Sequence, residues 1–214
     1  MDKRSGGAIK LITNLIFVLS GVYILIKGLY YNQFGMAVLG PVTFLFLLIP
    51  PVGQKLLRIE LDWRFHVLIV LFCFLAFSLG TALDWYERFP FFNFFVHGLS
   101  GVLFTMVGYC IYGLIKKQGI ARIKSDWLLQ LAFAFCFSMM IAVMWEIGEF
   151  AGYLITGHDS QHTETTGVFD TMYDIIACVL GSILMTIDYA LYSKKGWRSF
   201  FIKTLEQFYK LNMR

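Results

Sequence analysis

Six long apolar runs occupy almost the whole chain, and little can fold from such a sequence except helices that cross a bilayer. They extend approximately over Leu11 to Ile26, Phe34 to Pro50, Phe65 to Leu83, Phe92 to Ile115, Trp127 to Ile155 and Phe169 to Tyr192. A crossing helix needs about 20 predominantly apolar residues. In lipid every backbone amide must also be paired within the protein, which selects helices for segments of this length. Charged residues make up 15% of the 214 positions, against about 25% in a soluble domain. The expected fold is therefore all-α, a polytopic membrane bundle of six transmembrane helices. The second run is short and holds Gly40 and Pro41, so a kinked or re-entrant path is expected there. Leu11 to Ile26 lacks a small-residue cleavage site and is followed by Lys27, so it reads as a retained first helix, not a signal peptide.

Lys and Arg set the expected orientation, because cytoplasmic segments carry their excess. Sixteen of the eighteen fall at the N-terminus, in the second and fourth connections and in the tail, leaving only Lys27 and Arg88 opposite. Both termini are thus expected in the cytoplasm. Eight of fourteen acidic residues fall in the outer half or outer connections. The net charge of +4 then reflects membrane topology and does not argue for nucleic acid. Residues 1–196 are expected to form the membrane domain. In 197–214, Trp197, Phe201, Leu205 and Phe208 recur at helical spacing opposite Lys203, Gln207, Lys210 and Arg214, the pattern of an amphipathic helix lying along the headgroups. Cys73, Cys110, Cys136 and Cys178 lie inside the runs without CxxC spacing, as buried apolar fillers do.

Ionisable groups inside such runs are expensive and point to function. Glu146 and Glu149 are near the outer end of the fifth helix, Asp170 and Asp174 occupy the first two turns of the sixth, and His97 lies about one and a half turns into the fourth. Spacings of three and four residues place each carboxylate pair on one helix face. Four carboxylates in a semi-apolar cavity cannot all remain ionised without a counter-charge, and the helical stretches that bear them contain no Lys or Arg. Protons or a cation must supply the balance. Carboxylate oxygens with an imidazole suit magnesium, manganese or zinc. The candidate metal ligands are therefore His97, Glu146, Glu149, Asp170 and Asp174, with His97, Glu146 and Asp174 as the candidate catalytic groups. Asp84 is a candidate for the rim, and His158, Asp159, His162 and Glu164 form a polar outer loop suited to attracting a cation. Gly98, Gly101, Gly108, Gly148, Gly152 and Gly181 are expected to bring helix backbones together.

The strings NFFVHGLSG (93–101), WEIGEF (145–150) and DTMYD (170–174) followed by Ala177 and Gly181 resemble the YjdF family of bacterial inner-membrane proteins. They are more distantly similar to the VanZ-like family associated with low-level teicoplanin resistance. Those families have Asp one turn before the His, where this chain has Asn93, and VanZ-like proteins tend to have Asn where it has Cys178. The resemblance implies a membrane bundle in which His97, Glu146, Glu149, Asp170 and Asp174 matter, without naming a reaction.

Three functions fit these residues. One is a metal-assisted site open to the extracytoplasmic face, with membrane lipids as partners and a lipid-linked envelope precursor as substrate. His97 or a carboxylate would serve as its general acid or base. A second is a proton- or cation-coupled transporter, although no inverted repeat or paired broken helices accompany it. The third is a structural or regulatory protein whose polar groups hold helices together.

Overall fold

The computed structural model describes residues 3–117, 126–157 and 159–213. Every regular element among them is helical. Six segments are long and apolar enough to cross a membrane: Gly6–Tyr30, Phe34–Leu57, Trp63–Ala82, Phe92–Lys116, Trp127–Thr156 and Phe169–Lys195. The expected all-α polytopic architecture is thus observed, and the protein is a multi-pass membrane protein of the kind found in inner membranes. Arg122 and Lys124 of the fourth connection, His158 of the outer loop and Arg214 of the tail lie outside the described residues. Two compact units divide the chain after Asn93.

The first unit holds α1 (Lys3–Tyr30), α2 (Phe34–Phe46), α3 (Ile49–Leu57), α4 (Trp63–Cys73), a π-helical segment (Phe74–Ala82) and α5 (Trp85–Arg88). The second span does break, but at Leu47 and Leu48 and not at Pro41, which sits inside α2. Pro50 and Pro51 cause this, since neither has an N–H to continue the ladder, while both are tolerated in the first turn of α3. Asp62 starts α4 by accepting from the amides of Arg64 and Phe65 at 3.1 and 3.2 Å. His66 Nε2 meets Asn14 Oδ1 at 2.8 Å and ties α4 to α1. Asp84 pairs with Arg88 at 3.6 Å and is about half exposed.

The second unit holds most of α6 (Phe92–Lys116), with α7 (Trp127–Thr156), α8 (Thr163–Thr166), α9 (Phe169–Lys195) and α10 (Phe200–Asn212). Helices α6 and α9 meet backbone to backbone. A Cβ on Gly101 would strike the Cys178 carbonyl, and one on Gly181 would strike the Gly98 carbonyl. Gly108 allows α7 the same approach at Ala134. Gly148 and Gly152 do not share this role: nothing lies within 4 Å of a Cβ built at either. A hydroxyl clasp reinforces the contact, with Ser182 donating to Ser138 Oγ at 2.9 Å and Ser138 donating to the Gly101 carbonyl at 3.2 Å.

Ser199 caps α10 by accepting from the Ile202 amide at 3.1 Å. Ile202, Leu205, Phe208 and Tyr209 are buried on its inner face, whereas Trp197 is 63% exposed. The Tyr209 hydroxyl donates to the Tyr109 carbonyl at 2.6 Å, and burial pushes its pKa well above the usual phenolic value.

Candidate metal centre

Three of the five expected ligands converge. One donor atom from each of His97, Glu146 and Asp174 lies within 4.8 Å of the others. They come from three helices: His97 six residues into α6, Glu146 in the second half of α7 and Asp174 in the second turn of α9. The close approach of α6 and α9 at Gly98 and Gly181 holds His97 beside Asp174. His97 Nε2 stands 3.4 Å from Asp174 Oδ2.

That separation is informative. It exceeds the 2.7–3.2 Å range usual for a hydrogen bond from a ring nitrogen. It suits an ion pair between imidazolium and carboxylate, and it equally matches the edge, about 3.4 Å, between two donors each held about 2.1 Å from a tetrahedral ion. The other ring nitrogen faces away, with Nδ1 3.8 Å from Cys178 Sγ. Cys178 and Ser100 both donate to the His97 carbonyl, at 3.3 and 2.7 Å. A proton on Nδ1 would therefore meet the polarizable sulfur and leave the Nε2 lone pair facing Asp174, the arrangement a metal-binding imidazole adopts.

Gln161 supports Glu146, and no periodicity in the sequence marks it. It comes from the connection after α7, is 6% exposed, and donates from Nε2 to the Glu146 carbonyl and Oε2 at 3.1 and 3.3 Å. The connection folds back through left-handed residues at Gly157, His162 and Gly167. Asp159 holds its return in place, accepting from the Thr163 and Glu164 amides at 3.0 and 2.9 Å. These donors keep the Asp159 carboxyl below the usual carboxylate range, and its oxygens are occupied with capping α8.

Glu149 and Asp170 are not members of the converging group. Glu149 is half-buried and accepts from the Trp145 indole at 3.0 Å. Asp170 occupies the first turn of α9, where the helix dipole favours a carboxylate. The site is also more closed than expected. Glu146 and Asp174 are 6% and 3% exposed, which argues against a ligand set standing open to the outer face. Glu146 does line a cleft of about 440 Å³ together with Ile147, Phe150, Gln161, Val168 and Thr171.

Buried carboxylates with an imidazole and no adjacent Lys or Arg in their helical stretches can hold a divalent ion. Three protein donors leave a further coordination position, as catalytic zinc sites do.

The family model described as "Predicted membrane protein (DUF2238)" matches residues 11–195, which takes in all the site residues. An uncharacterized protein of Thermotoga maritima is 27% identical over 152 residues, covering 71% of this chain and 73% of its own length. No solved structure matches the chain. The chain belongs to the DUF2238 family of membrane proteins.

Proposed function

We propose that this protein is an inner-membrane metalloprotein in which His97, Glu146 and Asp174 bind one divalent ion of the zinc class. The convergence of one donor atom from each of His97, Glu146 and Asp174 within 4.8 Å, brought from three helices, carries this reading. The mixed nitrogen and oxygen set favours zinc or manganese over magnesium, which prefers oxygen ligands and retained waters. Catalysis is the most concrete form of this function. The ion would act as a Lewis acid, with a lipid-linked substrate entering by the cleft beside Glu146 and His97, Glu146 and Asp174 as the reacting set. Glu149 and Asp170 complete the acidic surroundings. The same reading puts both termini in the cytoplasm, takes 1–196 as the membrane domain and 197–214 as an interfacial tail. It draws support from the resemblance of 93–101, 145–150 and 170–181 to the YjdF and VanZ-like families.

Burial of the cluster specifically favours a second reading, in which the ion only fastens α6, α7 and α9. Transport is less well supported. The contacts of Gly101 with Cys178 and of Gly181 with Gly98 close the α6–α9 seam just below the cluster, where an ion path between these helices would have to run.

Cobalt substitution separates the two metal readings. Cobalt in a site with an open position should give a visible spectrum that shifts when azide is added. An azide-insensitive spectrum would show that the protein fills every position and would remove the catalytic version.

A further inference from the structure

The end of α9 farthest from the metal ligands carries a cavity of about 530 Å³ lined by Leu191, Lys195, Gly196, Trp197 and Arg198. Lys195 follows Asp174 by 21 residues, about 32 Å along a helix, so the cavity lies at the opposite membrane boundary. Gly196 ends α9 in a left-handed conformation, φ +71°, and the chain turns there. This turn sets Trp197 and Arg198 beside Lys195.

The lining has two cations and no acid. Arg198 uses Nη2 to meet Glu206 at 3.2 Å and remains more than half exposed, so the rest of its fork is available for oxygen ligands. Lys195 is exposed. Its neighbour Lys194 is engaged elsewhere, 5.5 Å over the Trp127 ring. Trp197, 63% exposed at a span end, has the position and amphipathic ring of a membrane-interface anchor. Leu191 continues the apolar lining toward the membrane.

We propose that this cavity binds the phosphate headgroup of an anionic phospholipid, held by Lys195 and Arg198, with its acyl chains running past Trp197 and Leu191. A phosphodiester supplies oxygens for both cations, and the apolar side of the cavity fits the attached hydrocarbon. Basic groups at a membrane boundary attract anionic lipid generally. The concave juxtaposition with Trp197 adds a defined position to that attraction.

The test uses full-length protein in mild detergent, titrated with phosphatidylglycerol or phosphatidylcholine and read by native mass spectrometry. Wild type should retain phosphatidylglycerol in preference to phosphatidylcholine. Lys195→Gln/Arg198→Gln should weaken phosphatidylglycerol binding about thirtyfold, and Lys195→Gln alone about fivefold. The single variant leaves the Arg198–Glu206 pair intact, so its loss cannot come from disturbing α10. Lys203→Gln/Lys210→Gln, which alters basic residues outside the cavity, should retain wild-type binding. Equal phosphatidylglycerol binding by wild type and both cavity variants would overturn the proposal, as would an equal loss in the Lys203 and Lys210 control. Displacement of the lipid by inorganic phosphate at matching concentration would overturn it too, by identifying a site for free anions.

Discussion

Chelation of divalent metal should lower the melting temperature of the wild-type protein by several degrees and leave Asp174→Asn nearly unchanged. A ligand that binds only the folded state stabilises by RT ln(1 + [L]/Kd), about 2.7 kcal/mol when the ion exceeds its dissociation constant a hundredfold. For a chain of this size each kcal/mol moves the midpoint by about 2–4 °C, so the loss should be about 5–10 °C. Asp174 is suited to this comparison because Asn preserves its shape and removes the charged ligand oxygen. The variant should melt near the chelated wild type, since both lack the ion. A wild type indifferent to chelator, yet more stable than Asp174→Asn, would instead make the His97–Asp174 contact a simple interhelical bond. Thermal unfolding in detergent, followed by tryptophan fluorescence with and without chelator, distinguishes the two results.

The second large effect should come from Gly181→Leu. A side chain there meets the Gly98 carbonyl on the facing helix, so α6 and α9 must separate. Overpacking a close-packed interior costs about 1–3 kcal/mol. The backbone obstruction at Gly181 puts the substitution at the upper end of that range, because no side chain can rotate aside. His97 adjoins Gly98, and Asp174 lies two turns from Gly181. Separation should therefore abolish metal binding as well as lower stability. Gly152→Leu is the matched control, since open space surrounds its Cβ direction, and it should be nearly silent. Equal tolerance of both substitutions would refute the close α6–α9 contact as the element that positions the site.

The contrast between these glycines also shows what the sequence could and could not convey. Hydropathy located all six spans, because apolar length is nearly sufficient to define a crossing helix. It did not reveal that Gly181 faces a backbone while Gly152 faces open space, since that depends on helix rotation. The same limit applies at the cluster of His97, Glu146 and Asp174. Spacing put Glu149 on the Glu146 face and Asp170 on the Asp174 face, but positions three or four residues apart still differ by a fraction of a turn. Glu149 meets the Trp145 indole, and Asp170 stands in the first turn of α9, one turn before Asp174. Gln161 was not legible at all. Its approach to Glu146 depends on a fold-back through three left-handed residues, a tertiary arrangement without periodic signal. Pro50 and Pro51, by contrast, carried a readable cause for the break in the second span, although Gly40 and Pro41 drew attention to the wrong place.

His97, Glu146 and Asp174 should together hold a single ion. Elemental analysis of protein purified in detergent without added chelator, comparing wild type with His97→Ala, Glu146→Gln and Asp174→Asn, reads this out. About one divalent ion per wild-type chain is expected, as a single three-donor site requires, with loss of that ion in each variant. A correctly folded wild type that neither contains divalent metal nor takes it up on addition of zinc or manganese would show that these three residues are not a metal site.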